Sequence, residues 1–93
     1  MWSMPIRSVF ILRENSMHIE NLVNMANRIG QFFEAEPDRE QAIRDIASHL
    51  KRFWDPRMRT AIIAHVDAGG TGLLEIVAAA ITTQREMLQP ASK

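Results

Sequence analysis

The chain has 93 residues, enough for one domain built around one compact core. Eleven Lys and Arg balance eleven Asp and Glu, and a pI of about 6.8 lacks the basic footprint that holds a nucleic acid. Without cysteine there is no disulfide framework, no iron–sulfur ligation and no thiol nucleophile, and no run of ~20 apolar residues is present to span a membrane.

Residues 1–16 differ in kind from the rest. They hold one short apolar run, Val9-Phe10-Ile11-Leu12, between Arg7 and Arg13. A secretory signal needs an apolar stretch of about 7–15 residues and a small-residue cleavage site. This run meets neither requirement, so the expected location is cytoplasmic. A lone strand over residues 8–12 would have no partner. The segment reads as a loosely ordered extension ahead of an alternative start at Met17, or as an arm packed on the domain through Val9, Phe10 and Leu12.

The helical pattern begins directly afterwards. A first helix is predicted over residues 17–35, with Ser16 or Asn15 as N-cap and Glu20 in the first turn. Its apolar positions are Ile19, Leu22, Val23, Met25, Ala26, Ile29, Phe32 and Phe33. They span an arc of roughly 180°, wider than the ~100° stripe of an ordinary core-facing helix. Gly30 lies inside this helix at a cost of about 1 kcal/mol relative to Ala, a position that suits close approach of another backbone.

Glu36-Pro37-Asp38 breaks the chain. Either Asp38 and Gln41 form a capping box or Pro37 occupies the first helical position. The second helix is predicted over residues 38–54, burying Ala42, Ile43, Ile46, Ala47, Leu50, Phe53 and Trp54. Asp55-Pro56 then supplies an N-cap followed by a proline that cannot continue the previous helix. The third helix, over residues 56–68, carries Met58, Ala61, Ile62, His65 and Val66 on one side and Ile63 on the other. Gly69-Gly70 ends it. Thr71 can cap a fourth helix over residues 72–88, with Leu73, Leu74, Ile76, Val77, Ala80, Ile81, Met87 and Leu88 on one face. Residues 89–93 form a tail. The expected fold is therefore all-α: a small four-helix bundle over residues 17–88.

The residues offer little chemistry. His18, His49 and His65 are the only histidines, and they make no His-x-x-x-His pair or zinc-protease motif. His65 sits within an apolar stripe and reads as a hydrogen-bonded, half-buried side chain. His49 flanks the stripe of the second helix, where it either bonds within the bundle or faces a partner. Gly69-Gly70-Thr71-Gly72 follows a helix rather than a strand and lacks a Gly-Lys-Ser/Thr sequence, so it reads as a helix stop and not a phosphate loop. Glu34, Glu36, Asp38 and Glu40 surround a solvated turn and form no acid/base pair. No metal, cofactor or catalytic residue is expected on this chain.

Surplus apolar surface is the informative feature. Phe32, Phe33, Phe53 and Trp54 fall at the ends of the first two helices. They either close one end of the core or form an aromatic patch for another protein. Arg57 and Arg59 beside it would suit a partner's carboxylates.

Two segments carry a family resemblance. They are residues 21–33, Asn-Leu-Val-Asn-Met-Ala-Asn-Arg-Ile-Gly-Gln-Phe-Phe, and residues 49–59, His-Leu-Lys-Arg-Phe-Trp-Asp-Pro-Arg-Met-Arg. With the intervening turn they resemble the delta subunit of NAD-dependent, molybdenum-containing formate dehydrogenases, over roughly residues 19–70. The resemblance implies a non-catalytic accessory subunit that binds the alpha subunit and supports maturation or stability of its molybdenum site. In such a complex the other subunits hold bis-molybdopterin guanine dinucleotide, Fe–S clusters and FMN, and reduce NAD. A transient cofactor-insertion chaperone and an unrelated small helical homodimer are the alternatives. Partner-binding positions expected from the two segments and the surplus surface are Asn27, Phe32, Phe33, His49, Trp54, Arg57 and Arg59.

Overall fold

A computed structural model describes residues 18–90. The expectations for residues 1–17 (extension, alternative start, packing arm) and for residues 91–93 lie outside the described residues. Within them the fold is all-helical: α1 (Ile19–Phe33), α2 (Arg39–Phe53), α3 (Pro56–Asp67), α4 (Glu75–Thr83) and α5 (Arg85–Leu88). The expected fourth helix is thus two pieces, a nine-residue α4 and a single turn, α5.

Local capping explains most boundaries. The Asp38 carboxylate accepts from the backbone N–H groups of Glu40 and Gln41 and starts α2. The reciprocal half of a capping box is missing. Gln41 instead donates to Asp45 and accepts from Arg44, while the Glu36 carboxylate accepts from the Asp38 N–H. Pro37 precedes the cap and is not the first helical residue. Asp55 caps α3 by accepting from Met58 N–H at 3.0 Å, with Pro56 at the first helical position. The chain leaves α3 through a Schellman-type stop, in which Gly70 N–H reaches the His65 carbonyl and Gly69 N–H the Val66 carbonyl. Gly69 and Gly70 have φ of 121° and 66°, values that L side chains rarely adopt.

Two expected caps are corrected. Ser16 and Asn15 lie outside the described residues, and His18 stands at the N-cap of α1 with φ 41°. Thr71 does not cap α4. That helix starts later, with Leu74 at its N-cap, and Leu74 has no side-chain acceptor. At the far end, Thr83 Oγ1 donates back to the Ala79 carbonyl at 2.7 Å, a bond that competes with the helical ladder where the chain breaks at Gln84.

The core draws on every helix: Leu22, Val23 and Ala26 of α1; Ala42, Ile46, Ala47 and Leu50 of α2; Ile62 and Ile63 of α3; Ile76, Val77, Ala80 and Ile81 of α4; and Leu88 of α5. Trp54, at the corner between α2 and α3, is 5% exposed. Gly30 permits close approach, but of a side chain. A Cβ there would run into Val77 Cγ2, so α4 presses directly on the backbone of α1. Two positions reverse their expected faces. Ile63 is buried and Phe53 is exposed. Ile63 shares the i, i+4 face of α3 with Arg59, and Arg59 Nη1 donates to the Leu88 carbonyl, so the α5 turn covers that face. Arg85 of the same turn grips the Asp67 carboxylate through two 2.7 Å bonds, which lower the Asp67 pKa and raise that of Arg85.

Candidate protein-interaction surface

The C-terminal end of α1 and the second half of α2 together present a strip of rings. Phe32 and Phe33 meet edge to face with centroids 4.9 Å apart. Phe33 lies 6.2 Å from the His49 ring, and His49 lies 4.7 Å from Phe53. Both ends of the strip stand in solvent, with Phe32 75% and Phe53 64% exposed. Such exposure leaves apolar area in contact with water at about 25 cal/mol per Å². Met25, two turns before Phe32 on α1, is also exposed.

Between the rings of Phe33 and Phe53 is an open hollow flanked by Asp45, Ser48, His49 and Arg52. The Arg52 guanidinium carbon lies 5.6 Å from the Phe53 centroid, a cation–π arrangement. Asp45 accepts from Gln41 Nε2 at 2.8 Å. The hollow thus combines flat apolar walls with one oriented cation and one carboxylate.

The expected partner residues divide into two groups. Phe32, Phe33 and His49 come together on the strip. Arg57 is exposed in the first turn of α3. The other three are engaged inside the fold. Trp54 is buried, and so is Arg59, at 8% exposed, with Nη1 on the Leu88 carbonyl and Nε without a hydrogen-bond partner. Arg59 therefore does not join Arg57 as a surface cation.

Asn27 spans from α1 to the segment before α4. Its Nδ2 donates to the Gly72 carbonyl and its Oδ1 accepts from Leu74 N–H, both at 2.9 Å. The amide oxygen thus satisfies the backbone N–H of Leu74, the N-cap residue of α4 and one of the donors a helix start leaves unpaired. His65 is half-buried and bonds through Nε2 to the Thr71 carbonyl at 2.7 Å, as its place in the apolar stripe suggested. Asn27 and His65 thus hold the glycine-rich connection from both sides.

The sequence reading left Arg52 out of the strip, and it offered Phe53 both as a core residue and in an aromatic patch without naming it among the partner positions. Periodicity put Phe53 on the buried face of α2. It is the last residue of that helix, and no neighbouring element covers its ring. Periodicity gives the face of a helix but not how far along it the neighbours extend. Among the described residues no group of three or more His, Asp or Glu could hold a metal, and no helix is long and apolar enough to cross a membrane.

A known family matches over half of the chain. Residues 21–81 match the family model of the NADH-dependent formate dehydrogenase delta subunit FdsD. The chain belongs to the FdsD family. The match runs from the first turn of α1 into α4 and includes every residue of the strip. No curated protein and no solved structure shows a significant match. As an FdsD member, the chain is a formate dehydrogenase subunit and associates with other subunits of that complex.

Proposed function

We propose that this FdsD chain is a non-catalytic accessory subunit that docks on the molybdenum-containing alpha subunit through the Phe32–Phe33–His49–Phe53 strip. By covering part of that subunit it supports maturation or stability of the cofactor site held there. The observation that carries this reading is the pair of exposed phenylalanines joined by two half-buried rings in a chain of this family. Aromatic side chains dominate the centres of protein interfaces because they bury a large area at a small entropic cost. The cofactors of the complex (bis-molybdopterin guanine dinucleotide, Fe–S clusters, FMN and NAD) belong in this reading to the other subunits.

Co-expression of the tagged chain with the remaining subunits tests the proposal. A permanent subunit elutes in fixed stoichiometry with the alpha subunit on size exclusion. Omitting the chain should lower the molybdenum content of the alpha subunit. A chain found with immature alpha subunit and absent from the finished enzyme is instead an insertion chaperone. A chain eluting alone at twice its mass is a homodimer, and either result overturns the proposal.

A further inference from the structure

Among the described residues Arg59 is a buried cation without a counter-charge. We propose that residues 84–90 form a strap that closes over it and opens while α1–α4 stay folded, with the desolvation of Arg59 working against the closed form.

The strap is a separate piece of chain. α4 ends at Thr83, the helix breaks at Gln84, and α5 is one turn of four residues with no side-chain N-cap. A single turn has little stability of its own, because nucleation fixes several residues for one hydrogen bond. Leu88 and Arg85 fasten it. Leu88 is fully buried, so the closed form is packed and is not a frayed chain end. Arg85 pairs with Asp67 on the outside, where both side chains are partly in solvent and the pair is weakened by water and salt.

Arg59 acts in the opposite direction. Its guanidinium keeps its charge at any ordinary pH, yet the residue is only 8% exposed. Nη1 donates to the Leu88 carbonyl at 3.1 Å, and Nε has no hydrogen-bond partner. One neutral carbonyl replaces only part of the hydration that the closed strap removes. Arg59 is also the fourth residue of α3, near the positive end of the helix dipole, which disfavours a cation. Opening returns water to the guanidinium and takes Leu88 out of the core. Closure is thus a small difference between opposed contributions, the condition for a local opening unit. The covered residues, Arg59 and Ile63, fall inside the family match over residues 21–81, and the strap falls beyond it. A static pin would have the opposite sign, since its removal would loosen the turn.

Amide hydrogen exchange of the full chain, followed by NMR, separates the two. The Leu88 and Gln89 N–H groups bond to the Gln84 and Arg85 carbonyls and report the strap. The Leu50 N–H, in the buried middle of the fold, reports global unfolding. Relative to intrinsic rates, Leu88 and Gln89 should exchange about tenfold or more faster than Leu50. Arg59→Met removes the charge at similar length. It should slow exchange at Leu88 and Gln89 by about fivefold or more, because replacing a buried charge with an apolar side chain is often stabilising. Arg59→Lys keeps the charge and should give no such slowing. Equal protection at Leu88, Gln89 and Leu50 would overturn the separate strap. Unchanged or faster exchange in Arg59→Met, or a variant that no longer folds, would make Arg59 a pin that the closed form requires and overturn the proposal. Equal slowing in Arg59→Lys would overturn charge as the cause. The measurement uses the free chain, so it stands apart from which subunit the chain joins.

Discussion

Asn27 offers the sharpest separation between a folding role and a binding role. Its amide makes two bonds, to the Gly72 carbonyl and from Leu74 N–H, each 2.9 Å long. They join α1 to the start of α4 across 45 and 47 residues of sequence. A neutral intramolecular hydrogen bond contributes about 0.5–1.5 kcal/mol net. Asn27→Ala should therefore destabilise the chain by about 1–3 kcal/mol. In a domain of this size each kcal/mol moves Tm by about 4–8 °C, so a mid-range loss lowers it by roughly 8–16 °C. Asn27→Asp should be no better than Asn27→Ala. It keeps an acceptor for Leu74 but replaces the donor to Gly72 with an oxygen facing a carbonyl oxygen. Thermal unfolding of the full chain followed by circular dichroism measures both. An unchanged Tm in Asn27→Ala, together with weakened association with the alpha subunit, would refute the capping role and return Asn27 to the interface.

Other substitutions test the core and the C-terminal turn. Gly30→Ala should destabilise despite a gain in helix propensity of about 1 kcal/mol, because overpacking against buried Val77 costs about 1–3 kcal/mol; chemical denaturation should show Val77→Ala reversing part of the loss in the double variant. Trp54→Ala should cost about 3–5 kcal/mol, a large share of a typical 5–10 kcal/mol stability, and should appear as loss of most cooperative unfolding near room temperature. The Asp67–Arg85 pair makes a small contribution that depends on acid. The folded Asp67 pKa lies below its unfolded value, so the contribution is present above the ordinary carboxylate range and disappears as pH falls through the folded value. Accordingly, Asp67→Asn should match the parent in Tm at low pH and fall slightly below it at neutral pH, with the difference reduced by salt.

Most of the helical framework was legible because its punctuation is local. Asp38 and the Asp55-Pro56 pair cap α2 and α3 from within their own first turns, so the residues that form each boundary are also neighbours in sequence. The start of α4 was not legible for the opposite reason. Its capping amide comes from Asn27, 47 residues earlier, and no window along the chain contains both. The faces of α3 were hidden in the same way. Arg59 and Ile63 turn inward because α5 returns to cover them, which depends on the path of the chain after Gln84. At the candidate site, the excess apolar arc of α1 pointed to Phe32, which is exposed, and to Phe33, which is half-buried. Phe53 was left between core and aromatic patch because its angular position on α2 suits burial and only its place at the helix end exposes it.

The central claim is that the ring strip joins this FdsD chain to the alpha subunit. The most direct measurement is co-purification of the Phe32→Ser, Phe53→Ser double variant with the complete complex, with molybdenum quantified per alpha subunit. Both rings are mostly in solvent, so the variant should fold with a Tm within a few degrees of the parent. The account predicts that it elutes free of the alpha subunit and that molybdenum content falls to the level seen when the chain is omitted. A double variant that assembles in full stoichiometry with full molybdenum content would contradict it.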